Sequence, residues 1–216
     1  MSEPELSQDN RARGRAQSSS KSDLVVVASE ELVLMRSPML GYVTLLQRNG
    51  ALPFLPRAAC FSLTLGLAAS CSIVRAPVLS HWLLCSLAWS FVPMIQLCSG
   101  SVVMALLGRR RDARPLLGLH FAGNGPHLVA ALCAAAWSIA PVDGTSLRYL
   151  PIIGVGLGAL VYGAIIHTAF YRVVFGRSRG KAVLWVAGEW AIRVALIVVW
   201  FALMNNLAPQ ILGRRS

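Results

Sequence analysis

The apolar run "AVLWVAGEWAIRVALIVVWFALM", residues 182–204, decides the fold of this chain. A helix needs about 20 apolar residues to cross a bilayer, so this run is long enough to span one. It contains two charged residues, Glu189 and Arg193, which are unfavourable at bilayer depth unless a partner receives them. They are four residues apart, so they share one helix face, with the acid in the favourable N-terminal position. The sequence therefore predicts an intramembrane ion pair.

Two interpretations of Glu189 and Arg193 follow from their position. In the structural interpretation the pair neutralises itself, faces the bundle interior and sets the rotation of its helix. In the functional interpretation it belongs to an ion or proton path, because intramembrane ionisable residues often mark one. The sequence has one such pair and no acidic chain leading to it. This favours the structural interpretation and leaves a small-solute or ion transporter subunit as the alternative.

The composition predicts an integral membrane protein. The chain has 216 residues, of which 56% are hydrophobic and 13% are charged. A soluble domain typically carries about 25% charged residues. We therefore predict an all-α membrane protein with one folded unit of several helices. The excess of Arg over Lys indicates a bacterial source.

The apolar runs predict a five-helix transmembrane bundle within residues 58–213. We expect residues 1–23, which are polar, to form a disordered tail. Residues 24–57 predict an amphipathic segment on the membrane surface, with a short packed helix and loop as the equal alternative. Pro93 is expected to bend the second span. The predicted spans are 58–74, 82–107, 126–142, 149–170 and 182–207.

The basic residues predict the orientation of the bundle. The net charge is +11, and the basic residues fall in clusters between the apolar runs, with no nucleic-acid reading motif. We therefore predict no nucleic-acid partner. A cytoplasmic N-terminus puts fifteen basic residues inside and four outside, with Arg193 in the membrane. This agrees with the positive-inside rule and predicts a cell inner membrane protein with an outside C-terminus.

Four glycines in the fourth predicted span indicate close helix packing. Small residues let helix backbones approach each other in lipid, where van der Waals packing drives association. The packing is expected within the chain, with a second copy or with another membrane protein. The residues are Gly154 and Gly158, which form a G-x-x-x-G, and Gly156 and Gly163 on a neighbouring stripe.

Cofactor and catalytic signals are weak. His127 and His167, near the ends of the third and fourth spans, are the only candidates for haem ligands, and no second pair or attachment motif supports them. The five cysteines form no C-x-x-C pair and are interpreted as small hydrophobes. Nucleophile elbows, Walker loops and H-E-x-x-H motifs do not occur. We therefore predict no cofactor, no metal and no enzyme activity.

Two stretches carry a family resemblance. "FYRVVFGRSRGKAVLWV", residues 170–186, joins two apolar runs through an arginine-rich turn, and "LHFAGNGPHLVAALCAAAWSIAP", residues 119–141, places a glycine-containing polar turn before an apolar run. Over roughly residues 105–207 the chain resembles the Yip-type membrane domain family, in which a similar R-x-x-x-G-x-S-R-G-K-A turn leads into the last span.

The resemblance implies five spans, a cytoplasmic N-terminus and a non-enzymatic, scaffold-like role. Eukaryotic members act in vesicle traffic and bind Rab GTPases, but their acidic-aromatic cytoplasmic motif is missing here, so GTPase binding is not carried over. The expected partners are the lipid bilayer and other membrane proteins or a second copy of the chain.

Overall fold

The structure is a computed structural model that describes residues 25–48, 54–108, 113–140 and 149–211. These residues form helices and turns, and no strand occurs among them. The predicted disordered tail, residues 1–23, lies outside the described residues. In chain order the α-helices are α1 (25–36), α2 (Pro38–Gln47), α3 (Phe54–Val74), α4 (Leu79–Ala88), α5 (Phe91–Leu106), α6 (Ala113–Phe121), α7 (Gly125–Ile139), α8 (Leu150–Phe175) and α9 (Arg179–Ile211).

Helices α1 and α2 form a bent pair packed against the other helices. Pro38 begins α2 directly after Ser37, and Gly41 then lies against Leu34 of α1. One face of the pair is buried, with Leu34 and Tyr42 fully enclosed, while Leu32 and Leu40 on the other face are exposed. Residues 25–47 therefore combine features of both predictions for this segment. They have a packed face, as a short packed helix would, and an exposed apolar face, as a membrane-surface segment would.

Helices α3, α4 and α5 form the first hairpin. The chain turns at Arg75, whose φ of 55° is left-handed. Gly66 lets α3 approach the backbone of α4 at Ser86, and the Trp82 indole N–H donates to the carbonyl of Leu63 at 2.7 Å. The second predicted span is interrupted by a turn at residues 89–90, just before Pro93, where the sequence predicts a bend.

The long helices α8 and α9 form the second hairpin. Helix α8 has 26 residues and ends at Gly176, whose left-handed φ of 61° closes the helix before the basic turn. Helix α9 has 33 residues, about 50 Å of helix. Helix α7 packs between α3 and α8, and α9 packs against α5 and α8.

Four helical segments of the described residues are long and apolar enough to cross a membrane, whereas the sequence predicts five. The third predicted span, 126–142, corresponds to α7, which has only 15 residues because a 3-10 turn precedes Gly125 and the backbone becomes extended at Ala140. A helix of 15 residues rises about 22 Å, less than the hydrocarbon thickness of about 30 Å. A five-span bundle is therefore not confirmed. The four segments are Phe54–Val74, Leu79–Leu106, Leu150–Phe175 and Arg179–Asn206.

The buried core is concentrated at one end of the α8–α9 hairpin. There Ile166 and Phe170 of α8 and Ala182 of α9 pack against α2, α5 and α6. Toward the other end the two helices carry exposed apolar side chains such as Leu157 and Val198. The charged residues predicted in α9 lie next to the core end.

Candidate functional site: buried charges around a helix break

A break between α6 and α7 is the most deeply buried stretch of the described chain. Ala122–Asn124 form a single turn of 3-10 helix between the two α-helices, and every residue from 117 to 126 is buried. Asn124 exchanges two hydrogen bonds of 3.2 Å with Gln96 of α5 and donates a third, of 3.1 Å, to the carbonyl of Phe121. These bonds satisfy polar groups where the helix is interrupted.

Two glycines allow other helices to contact this break. A Cβ at Gly123 would lie 3.0 Å from the hydroxyl of Tyr42 and 3.1 Å from a methyl of Ile166. A Cβ at Gly125 would lie 2.7 Å from the sulfur of Met35. The break is therefore in close contact with α1, α2 and α8.

Glu189 lies beside the break and is fully buried. Its Oε1 contacts the Arg193 guanidinium and lies 2.9 Å from Nε2 of His120, the next-to-last residue of α6. Its Oε2 accepts a hydrogen bond of 2.8 Å from the hydroxyl of Tyr171 on α8. Arg193 also donates to the hydroxyl of Ser99 on α5 at 3.3 Å.

These five residues, with His167, are called the Glu189 cluster below. Both carboxylate oxygens of Glu189 are in contact with partners, which come from α6, α8 and α9 itself, and Arg193 adds the bond to α5. The cluster thereby links α5, α6, α8 and α9 at one point. Chemically, it can fix the rotation of α9 against its neighbours.

The cluster also contains two neighbouring histidines, His167 and His120, and the hydrogen bonding of His167 is incomplete. Their rings stack with centroids 4.9 Å apart and planes 28° apart. His167 is fully buried, and neither of its ring nitrogens has a hydrogen-bond partner within the described residues. The same holds for the hydroxyl of Tyr42, which adjoins the same Cβ position of Gly123 as Nε2 of His167.

A second group of buried charges lies on the α1 side of the break. Arg57 of α3 is 3% exposed and contacts two carboxylates of α1, Glu30 and Glu31, the latter at 2.5 Å. We call these three residues the Arg57 cluster. Arg57 therefore lies within α3 and is buried, whereas the first predicted span begins one residue later, at residue 58. The carboxylates of α1 make its buried charge tolerable.

Glu31 also contacts the start of α7. Its carboxylate accepts a hydrogen bond from the backbone N–H of Gly125, at the N-terminus of α7, where a helix favours negative charge. Burial nevertheless raises the pKa of Glu31 to about 8, although Arg57 and this hydrogen bond lower it. Two carboxylates share one guanidinium, so near neutral pH the cluster can balance its charge by holding a proton on Glu31.

The four predicted packing glycines differ in what they contact. Gly163 faces α7, where a Cβ would lie 2.5 Å from Cε1 of His127. Gly154, Gly156 and Gly158 have nothing within 4 Å of their Cβ positions. Close packing within the described residues is therefore seen at Gly163, and the G-x-x-x-G faces outward.

The predicted haem candidates, His127 and His167, do not form an open site. His127 lies against Gly163, and His167 is stacked on His120. No group of three or more His, Cys, Asp or Glu side chains that could hold a metal occurs in the described part of the chain.

Several residues of both clusters are not identifiable as site residues from the sequence. His120 is near a loop in the sequence, Tyr171 is one of several aromatics, and Glu30 and Glu31 have the pattern of a helix start. One available signal is the "GNGP" stretch, residues 123–126, which interrupts an apolar run and brings polar side chains to the break.

Comparisons with protein-family models, with curated proteins and with solved structures each give no match for this chain. The Yip-type resemblance therefore stays a prediction from the sequence.

Proposed function

We propose that this chain is a non-enzymatic, polytopic inner-membrane protein with a scaffold or protein-interaction role, and that the Glu189 cluster locks its helices together. The observation that carries the proposal is the saturation of Glu189, whose two oxygens contact Arg193, His120 and Tyr171. A carboxylate that is fully occupied by residues of its own chain is suited to fixing helices. It offers no free oxygen to a transported solute.

The energetics of buried charge support the lock. A charged group removed from water is unfavourable unless it is paired and hydrogen-bonded, and removing one partner of such a pair typically costs about 3 to 5 kcal/mol. Glu189 is fully buried and Arg193 is 13% exposed, so each depends on the other. Helix α9 can then occupy only the rotation that brings both side chains to α5, α6 and α8.

We propose five crossings, with α6, the 3-10 turn and α7 together making the third. Non-helical backbone at membrane depth is tolerated only where protein or a water-filled cavity surrounds it, and the buried break meets that condition. The cytoplasmic N-terminus then follows from the basic residues. Reporter or cysteine-accessibility labelling that places the loop at residues 109–114 outside the cell would contradict this topology.

The interaction role is supported by the outer surface. Leu157 and Val161 of α8 and Val194 and Val198 of α9 are each more than half exposed. Apolar side chains on a spanning helix face lipid or another membrane protein. The outward G-x-x-x-G of α8 lies on such a surface.

Purified protein in proteoliposomes tests this role. We expect no proton or solute flux above that of empty vesicles. We also expect the Glu189→Gln protein to be recovered as a less stable or aggregated species. A folded Glu189→Gln protein, together with flux in the wild type, would contradict the proposal.

A second candidate, a proton-coupled transporter subunit, is favoured by the unpartnered His167. Tyr42 and His167 both adjoin Gly123. His167 in turn stacks on His120, which contacts Glu189. These residues form a series from α2 to Glu189 along which a proton would move in this candidate function. A pH-sensitive dye inside vesicles would then report flux that is lost in a folded His167→Ala variant, with the His81→Ala protein as the control.

A further inference from the structure

A groove of about 560 Å³ runs along the outside of the molecule between α8 and α9. Its walls repeat at helical spacing, with Leu160, Ala164 and Thr168 on α8 and Val183, Ala187 and Trp190 on α9. Met39 of α2 contributes to the lining. The groove does not include any residue of the two buried clusters.

The walls of the groove are apolar. The Thr168 hydroxyl, a polar group on the wall, donates to the carbonyl of Ala164 at 2.8 Å and so is already engaged within its own helix. Trp190, at the far end, presents a large partly buried ring. A hydrocarbon chain is the ligand that such walls accept.

One end of the groove is strongly basic. Arg172, near the end of α8, and Arg179, at the start of α9, both line it and are exposed. No acidic residue occurs in the sequence between residues 144 and 188, so neither guanidinium has a carboxylate neighbour on its own hairpin. The first backbone N–H groups of α9 lie at the same end and favour an anion.

The length of the groove matches one leaflet of a bilayer. Leu160 and Arg172 are twelve residues apart on α8, which corresponds to about 18 Å of helix. Half of a hydrocarbon core of about 30 Å is about 15 Å. An acyl chain along the walls would therefore place its phosphate near the arginines at the membrane surface.

We propose that this groove binds an anionic phospholipid, with an acyl chain between α8 and α9 and the phosphate held by Arg172 and Arg179. Charge complementarity selects this occupant, because a peptide helix without acidic residues or a lipid without a phosphate would leave both guanidinium groups unpaired, and a zwitterionic phospholipid would place its own cationic group beside them. Guanidinium groups bind phosphate oxygens with two parallel hydrogen bonds. The inference rests on the proposed membrane placement of α8 and α9, but not on the lock at Glu189.

The test uses the purified full chain in a mild detergent and native mass spectrometry. It compares retention of phosphatidylglycerol and phosphatidylcholine of the same chain length. We expect phosphatidylglycerol to be retained preferentially. Its affinity should fall roughly thirtyfold in the Arg172→Ala/Arg179→Ala protein, because each arginine near an anionic lipid contributes about 1 kcal/mol and tenfold in affinity corresponds to about 1.4 kcal/mol. The control is Lys181→Ala/Arg48→Ala, which removes two exposed positive charges that do not line the groove and should change little.

A third variant tests the apolar wall. Ala187→Trp fills the groove from an exposed position and should reduce retention of phosphatidylglycerol while helicity and elution volume stay the same. Equal retention of the two lipids, or undiminished phosphatidylglycerol binding in the double arginine variant, would overturn the proposal. Full displacement of the lipid by inorganic phosphate alone would also overturn it, since it would reduce the site to a phosphate site. None of these results alters the folding of the Glu189 variants, so the lock is judged separately.

Discussion

The Glu189 cluster and the Arg57 cluster both adjoin the same helix break but are built differently. In the Glu189 cluster the acid and the arginine are four residues apart on α9, and other helices supply the remaining partners. In the Arg57 cluster the partners are 26 and 27 residues apart in the chain, and two carboxylates meet one guanidinium. One cluster is local and balanced in charge, and the other is distant in sequence and carries an extra acid.

This difference determines what each cluster can do. The Glu189 cluster keeps its charges through contacts within one helix and uses its neighbours to fix rotation. The Arg57 cluster joins α1 to α3 and α7, and its extra carboxylate makes it sensitive to pH. The first cluster is therefore expected to set the packing of the bundle, and the second to hold the N-terminal helix pair in place.

The largest expected effect comes from Arg57→Met. It leaves two carboxylates, Glu30 and Glu31, buried without a cation, and we expect a loss of about 3 to 5 kcal/mol of stability, measured by denaturation in detergent. The matched control, Arg48→Met, removes an exposed arginine and should change stability by less than about 0.5 kcal/mol. Equal stability of the two variants would show that the Arg57 cluster does not hold α1.

A larger side chain at Gly123, between the clusters, gives the next effect. Val at this position would press on Tyr42 and Ile166, and overpacking of this kind costs about 1 to 3 kcal/mol. Gly154→Val, where nothing lies within 4 Å, is the control and should be close to wild type. If both variants unfold at the same denaturant concentration, the break is not enclosed as described.

The pH dependence of stability should separate the two clusters. The folded-state pKa of Glu31 is about 8, above its ordinary value of 4.5, so its stabilising contribution is complete below about pH 4.5 and is lost as the pH rises through 8. We expect the wild type to lose stability between pH 5 and 9, by up to about 1.4 kcal/mol per pH unit, and Glu31→Gln to lose less. Parallel curves for the two proteins would contradict the assignment.

The smallest expected effect is at the outward glycines of α8. The sequence predicts close helix packing at Gly158, which a Gly158→Leu substitution would disturb, but the space around Gly158 is open within the described residues. We therefore expect the unfolding midpoint and the mass in detergent to be unchanged, as measured by denaturation and light scattering. A shift in mass would mean that a second copy covers this face.

The sequence predicts the helical class and the long apolar helices well, because hydrophobic length is a local property. It also places Glu189 and Arg193 on one face, since helical spacing alone decides that. The break at residues 122–124 is harder to predict. A single 3-10 turn depends on Gln96 and on the close approach of α2 and α8, which no local pattern reveals.

The partners of the buried charged residues also cannot be predicted from local sequence patterns. Arg57 precedes an apolar run and has the pattern of a cytoplasmic flanking residue, because the glutamates that neutralise it are on α1. Likewise His120, Tyr171 and Ser99 reach Glu189 and Arg193 only through the packing of four helices. Long-range pairing of this kind is set by the tertiary fold.

A double-mutant cycle on Glu189 and Arg193 tests the central claim most directly. The variants are Glu189→Gln, which keeps an acceptor for Tyr171, and Arg193→Met, which keeps an apolar stem, together with the double variant. Their free energies of unfolding are measured in one detergent. If the pair is a lock, each single variant loses about 3 to 5 kcal/mol, and the double variant recovers much of that loss, because neither charge is left buried alone. If both single variants are as stable as the wild type, the pair does not hold the bundle, and the transporter reading replaces the lock.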